Sequence, residues 1–460
     1  MQTGQTTTAG SVEAASPRSR RRWFGGTRAG VLRQSIFWLH LVAGVVSGLV
    51  IAIMSLTGVL LAFERQLLAY AERQVRTVAQ PAPGTPRLDL DTLVAQARAQ
   101  FPEGTPTGVT LRAAANAAVF ITLGREQVVY VHPYTGAVLG TGATRLRHVF
   151  HVVTDWHRWL ATEGDSRELG RAITGACNAA FVVLVGTGVY LWWPRRWSRQ
   201  ALRACLRPSL SLRGKARDWN WHNTVGFWSA LALLCITLTG VVMSYQWAND
   251  LLYTLTGNTP PPPRRPEGAA ERSPAPGKRA PVPEPRVTGT ASAARSASAV
   301  PAPENPPEER RRARGAGGEA VSAPARARLE LLATVAMQQA PHWRSLMIRL
   351  PQGSAPRVNV TLEEATSLHP YPRSQLTLDA TTAAVLQWEP YASANLGRRL
   401  RAWVRPIHTG EAAGYAGQTL ALLVSAGGVV LVWTGLALAW RRFFGRRGAA
   451  GTPLSPSLPS

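Results

Sequence analysis

The chain has 460 residues, with 51 Lys and Arg against 26 Asp and Glu, giving a formal net charge of +25. Nearly all of these cations are arginines placed beside apolar runs or in one Pro-rich segment, a distribution that suits membrane topology and excludes a nucleic-acid groove as the main reading. Cys177, Cys205 and Cys235 lack CxxC spacing, and neither CxxCH, GxGxxG after a strand nor a P-loop occurs, which excludes disulfide frameworks, iron–sulfur sites, covalently attached haem and nucleotide folds.

Residues 1–35 are Ser/Thr/Ala-rich and then basic, a disordered tail, with Arg18, Arg20, Arg21, Arg22, Arg28 and Arg33 against Glu13. The apolar run that follows, 36–63, is a first membrane span. Ala69-Tyr70-Ala71 resembles a leader cleavage site, but the run exceeds a signal core, so the expectation is an uncleaved anchor. Residues 64–160 predict a small α+β unit, with a helix over Leu90–Ala99, strands at Val109–Leu111, Ala118–Leu123 and Val128–Val131, and a turn at Pro133–Gly136. A second span covers 171–193 and ends in Trp192-Trp193-Pro194-Arg195-Arg196.

The loop 194–221 carries Arg199, Arg203, Arg207, Arg213, Lys215 and Arg217 against Asp218. The third span is 222–247. Residues 258–325 are rich in Pro, Arg and Ala and predict a disordered insertion without a core. A second α+β unit follows over 326–407, with a helix at Ala327–Gln339 and strands near Ser345–Leu350, Arg357–Leu362 and Gln375–Leu378. The fourth span, 416–440, precedes a tail, 441–460, holding Arg441, Arg442, Arg446 and Arg447. The excess of arginine puts both termini and the loop 194–221 in the cytoplasm and both α+β units outside. The fold class expected is therefore a mainly α-helical integral membrane protein with four spans.

The spans repeat. His40 is followed by Gly44 and by Thr57-Gly58, and His222 by Gly226 and Thr239-Gly240 at the same spacings. The second span of each half is preceded by His157 or His408, and Gly188–Trp193 matches Gly435–Trp440. This reads as a duplicated two-span unit. An ionisable side chain at the edge of hydrocarbon is a functional hypothesis by default. Its competitor is an interfacial imidazole with an apolar body and a wet tip; four repeat-equivalent positions favour shared chemistry. Two neutral imidazoles on facing helices can clamp a haem iron, so the prediction is an inner haem on His40 and His222 and an outer haem on His157 and His408. Zinc or copper competes, without a Cys or carboxylate at ligand spacing. His148 and His151 are alternatives for the outer site. Arg158, Arg171, Arg401 and Arg405 outside, and Arg33, Lys215 and Arg217 inside, are candidate haem-propionate partners. His132, His342 and His369 read as surface residues.

Four stretches carry a resemblance: Trp38–Val59; His157-Arg158 through Trp193-Pro194-Arg195-Arg196; Trp221-His222-Asn223 through Ser244; and His408-Thr409-Gly410-Glu411 through Trp440-Arg441-Arg442. In these the chain resembles the PepSY-associated transmembrane proteins, iron-regulated membrane proteins that include ferric-siderophore reductases. The outer units look like PepSY domains, with His132-Pro133-Tyr134-Thr135-Gly136 similar to the family's turn and Thr382-Ala383 departing from it. The resemblance implies two b-type haems on transmembrane histidines, in a bacterial inner (plasma) membrane. It further implies electron delivery to periplasmic ferric iron or a ferric-siderophore. With no flavin or nicotinamide fold in the chain, the electron donor would be quinol or a separate cytoplasmic reductase. The alternative is a non-catalytic PepSY membrane protein that binds or regulates a peptidase or envelope partner.

Overall fold

The computed structural model describes residues 28–124, 127–193, 198–261, 327–350, 356–365 and 369–445. The basic tail before residue 28, Arg195 and Arg196, nearly all of the Pro/Arg-rich insertion, and the tail holding Arg446 and Arg447 lie outside the described residues.

Among the described residues, four helices are long and apolar enough to cross a membrane: α1 (Arg28–Leu61), α6 (Ser166–Trp192), α8 (Gly214–Ser244) and α12 (Gly414–Phe443). They pack as a ring in which α1 touches α6 and α12, and α8 touches the same two. Large apolar side chains point away from it, Val46 at 78% exposure and Leu231 at 76%. In water such faces would be unfavourable; in a bilayer they face lipid. The inner faces bury Ile51, Val185, Leu233 and Val424 among small and polar residues, and Asn178 of α6 donates to the Thr237 carbonyl of α8 at 2.9 Å, the interhelical bond expected where lipid offers no partner. The chain is a multi-pass membrane protein. Helices α1 and α8 begin eight residues before the spans predicted for them, because hydropathy marks only the apolar part of a helix that starts in polar sequence.

The segment after α1 forms α2 (Glu64–Ala71), α3 (Arg73–Arg76), α4 (Leu90–Gln100), β1 (Pro106–Arg112), β2 (Val119–Leu123), β3 (Gln127–Val131), β4 (Val138–Thr141) and α5 (Thr144–Trp159). Between α6 and α8 lies α7 (Arg199–Leu206). After α8 come α9 (Gln246–Leu255), α10 (Leu329–Gln339), β5 (Trp343–Arg349), β6 (Arg357–Glu364), β7 (Arg373–Asp379), β8 (Val385–Glu389) and α11 (Leu396–Thr409).

The two stretches expected as α+β units form one antiparallel sheet, ordered β4-β3-β2-β1-β5-β6-β7-β8. The join is β1 against β5, with Val109 opposite Ile348 and Leu111 opposite Leu346. Each unit alone would leave that strand as an open edge of unpaired N–H and C=O groups, and pairing the two edges removes both. Period-two alternation puts Ile121, Val129, Ile348, Val360, Leu362 and Leu376 on one face, under Leu93 and Ala97 of α4 and Leu332 and Ala336 of α10. The helices cap each other: Asp91 accepts from the Leu329 and Glu330 amides at 3.1 and 3.3 Å, and Glu330 accepts from Leu90 N at 3.0 Å.

The turns after β3 and β7 have the same form. His132 Nδ1 accepts from Tyr134 N and Thr135 N, and Asp379 Oδ1 accepts from Thr381 N and Thr382 N. Gly136 then sits at φ 74°, and Ala383 takes the equivalent left-handed place at φ 58°. The departure from Thr-Gly seen in the sequence leaves the turn unchanged and adds strain. Ala383→Gly is expected to stabilise the sheet by about 1 kcal/mol, checked by the thermal midpoint of the detergent-solubilised chain.

Candidate functional site

Four histidines meet in two pairs. The His40 and His222 rings lie 6.2 Å apart, centre to centre, with planes at 88°, toward the end of the bundle away from the sheet. The His157 and His408 rings lie 6.3 Å apart, at 67°, toward the sheet. His40 and His222 ride on α1 and α8. His157 and His408 ride on α5 and α11, two helices that hydropathy did not reveal because arginines and histidines are interspersed among their apolar residues. Both carriers stop just after the histidine in left-handed conformations, Leu160 at φ 53° and Gly410 at φ 78°. Asn395 caps the start of α11 by accepting from Arg398 N at 2.8 Å, and Thr174 Oγ1 ties the end of α5 to α6 through the Arg158 carbonyl at 2.9 Å.

Every one of the four imidazoles is anchored in the same way. His40 Nδ1 lies 2.9 Å from Thr187 Oγ1, His222 Nδ1 3.0 Å from Thr434 Oγ1, and His157 Nδ1 2.9 Å from Thr57 Oγ1. His408 Nδ1 lies 2.9 Å from the Ile236 carbonyl and 3.3 Å from Thr239 Oγ1. Each of these threonines already donates its hydroxyl proton one turn back, to Val183, Val430, Ile53 and Cys235 respectively, at 2.7 Å. The threonine oxygen is therefore an acceptor, the Nδ1 atom carries the imidazole proton, and the lone pair is left on Nε2. No protein group hydrogen-bonds any of the four Nε2 atoms among the described residues.

The four threonines belong to four Thr-Gly pairs, one in each span: Thr57-Gly58, Thr187-Gly188, Thr239-Gly240 and Thr434-Gly435. Two of these pairs stood out in the sequence as a shared spacing; their bond to a histidine of another helix did not. A Cβ at Gly188 would come within 3.4 Å of His40 Cε1, and one at Gly435 within 3.3 Å of His222 Cε1. The missing side chains make room for the rings.

The pair geometry fits a shared ion. Two imidazoles bound to one metal from opposite sides are separated by two bonds of about 2.0 Å plus roughly an ångström on each side to the ring centre, about 6 Å in all. Among the described residues no group of three or more His, Cys, Asp or Glu is placed to hold a metal. Each pair thus offers two nitrogens and no more, a donor set short of a structural zinc site and matched to an iron whose other positions are filled by a macrocycle. A cavity of about 1370 Å³ opens between the four spans around His40 and His222, and Gly44, Gly48, Gly226 and Phe181 also line it.

The remaining predicted residues divide. Burial first, then Arg171, Arg405 and Arg167, lower the pKa of the Arg158 guanidinium, so these cations crowd one region beside the sheet-side pair. Arg171 also donates to the Ser244 carbonyl at 3.1 Å, and Arg401 is engaged by Asn249 Oδ1 at 2.8 Å. At the far end Arg33 caps the last turn of α6 through the Leu191 carbonyl, Arg217 pairs with Asp218, and Lys215 lies on the cavity wall. His148 and His151 are exposed on α5, with His151 Nδ1 3.4 Å from Asp155, and they join neither pair. His132 caps its turn and His342 is exposed. His369, expected at the surface, is only 5% exposed, packed on Trp403 and Tyr391 at 4.8 and 5.4 Å. Its place in a loop concealed that packing from a reading of the sequence.

Compared with known families, residues 37–442 match the family model described as PepSY-associated TM region. No curated protein matches the chain.

Proposed function

The chain belongs to the PepSY-associated transmembrane family, and we propose from that membership and the two histidine pairs that it is a haem-containing oxidoreductase of a bacterial inner membrane. In this reading His40 and His222 hold one b-type haem and His157 and His408 a second. The observation that carries it is the pair spacing of 6.2 and 6.3 Å with every Nδ1 anchored on a neighbouring helix. A b-type haem bound at each pair supplies a one-electron centre. The histidines orient and ligate, the threonines fix their tautomer, and the glycines leave room beside the rings. In this reading Arg158, Arg171 and Arg405, which crowd one region, would neutralise propionates, with Arg401 held on Asn249.

The two spans and four strands of each half derive, on this account, from one duplicated unit, and the joined sheet consists of two PepSY-like domains in the periplasm. Both termini then lie in the cytoplasm. Electrons enter from quinol or a separate cytoplasmic reductase and leave to ferric iron or a ferric-siderophore beside the sheet.

Thr187→Val keeps the shape and removes the acceptor for His40. It is expected to weaken haem retention at that pair by about 10–100-fold, measured by haem transfer to a scavenger protein. Proteoliposomes test the transfer itself: dithionite sealed inside should reduce a ferric chelate outside with wild type and not with His157→Ala. Haem-loaded wild type that leaves the external chelate ferric contradicts the electron-transfer role.

A further inference from the structure

We propose that the far end of the bundle carries a binding site for the headgroup of an anionic phospholipid, between α7 and the first turns of α8. A cavity of about 960 Å³ lies there, lined by Arg203, Arg207, Leu210, Leu212, Lys215 and Trp219, among others. Asp218 is the sole acid between residues 198 and 221, and Arg217 and Arg441 already occupy it. Arg203, Arg207 and Lys215 make no ion pair among the described residues, so three cations share one concavity without a counter-charge. Arg213, which caps α8, gives it no side-chain hydrogen bond, so the N–H groups of that long helix add positive potential at the same place.

The walls are fixed. Asn220 Oδ1 accepts from Ser209 N at 2.8 Å and its Nδ2 donates to the Arg207 carbonyl at 3.2 Å, while Trp221 Nε1 donates to the Ser209 carbonyl at 3.1 Å. The depth is also fixed. Trp228, 68% exposed on the outward side of α8, donates Nε1–H to the Leu206 carbonyl at 2.9 Å. It lies nine residues past Trp219, roughly 13 Å further into the span. The last turn of α7 therefore rests against the exposed side of α8.

A free anion would use only the cations and leave Leu210, 86% exposed, and Trp219, about half exposed, facing water. A phospholipid uses both kinds of lining: guanidinium groups take the phosphate in charge-assisted hydrogen bonds, and acyl chains cover Leu210, Leu212 and Trp219. Charge complementarity selects an anionic headgroup over a zwitterionic one.

The test is native mass spectrometry of the full chain released from nanodiscs of phosphatidylcholine with a minority of phosphatidylglycerol. Wild type should retain phosphatidylglycerol selectively, and Arg203→Gln/Arg207→Gln/Lys215→Gln should lower that retention at least about tenfold. Arg98→Gln, exposed on α4 and far from the cavity, should match wild type. If the triple variant does not fold, Arg207→Gln alone should still give a partial loss. Equal retention by wild type and the cavity variants overturns the site. Displacement of the lipid by millimolar inorganic phosphate overturns the lipid assignment in favour of a free anion.

Discussion

His222→Ala is expected to halve the haem content, from two per chain to one, and His40→Ala to give the same product. His157→Ala and His408→Ala should each remove the other haem instead. The two pairs share no residue: one is tied to Thr187 and Thr434, the other to Thr57 and Thr239. Along α1 the first histidine and the threonine serving the second pair are 17 residues apart, roughly 25 Å at 1.5 Å per residue. Truncating one imidazole leaves its partner as a single ligand and does not touch the distant pair. Pyridine haemochrome assay of the purified variants gives the count. Loss of both haems, or of neither, sinks the pairing.

Glu72→Ala is expected to destabilise the extramembrane part by about 3–5 kcal/mol, the cost of removing one member of a buried ionic cluster. Glu72 is 1% exposed and accepts from Arg147 Nε at 2.6 Å and Nη2 at 2.8 Å, from Tyr130 Oη at 2.8 Å and from Ala143 N at 3.0 Å. It thereby clasps α3 to β3 and to the start of α5, the helix that carries His157. Loosening α5 should lower haem occupancy at the sheet-side pair and spare the pair of His40 and His222.

The same residue sets an acid limit. Burial alone would raise its pKa, but the hydrogen bonds from Arg147, Tyr130 and Ala143 outweigh it and hold the carboxyl below its ordinary value. A depressed folded pKa means the contribution is complete above the unfolded value of about 4.3 and is lost as pH falls through the folded one. Thermal unfolding followed from pH 7 to pH 3.5 should therefore steepen at the acid end for wild type and much less for Glu72→Gln. A Glu72→Ala chain that melts with wild type contradicts the clasp.

The spans and the four histidines were legible because both signals are local: apolar runs of membrane length, and a histidine at a repeated distance from Thr-Gly. The partners of those histidines were not. Thr187 and Thr434 are 147 and 212 residues from the rings they hold, inside apolar runs where a hydroxyl reads as a helix-packing residue. Helices α5 and α11 escaped notice for the opposite reason, since their many arginines hide an apolar stripe that rests on the bundle. The β1–β5 join was invisible because every edge strand looks alike in sequence, and the choice between solvent and another edge is made about 240 residues away. His369 shows the same limit at one position, its burial set by Trp403 and Tyr391.

What the two imidazole pairs hold is read most directly from the absorption spectrum of the purified full-length chain. Two haems per polypeptide, with Soret and alpha bands that sharpen on dithionite as expected of bis-histidine iron, are the predicted result. A chain expressed with ample haem that purifies folded but lacks a dithionite-reducible Soret band would contradict the account.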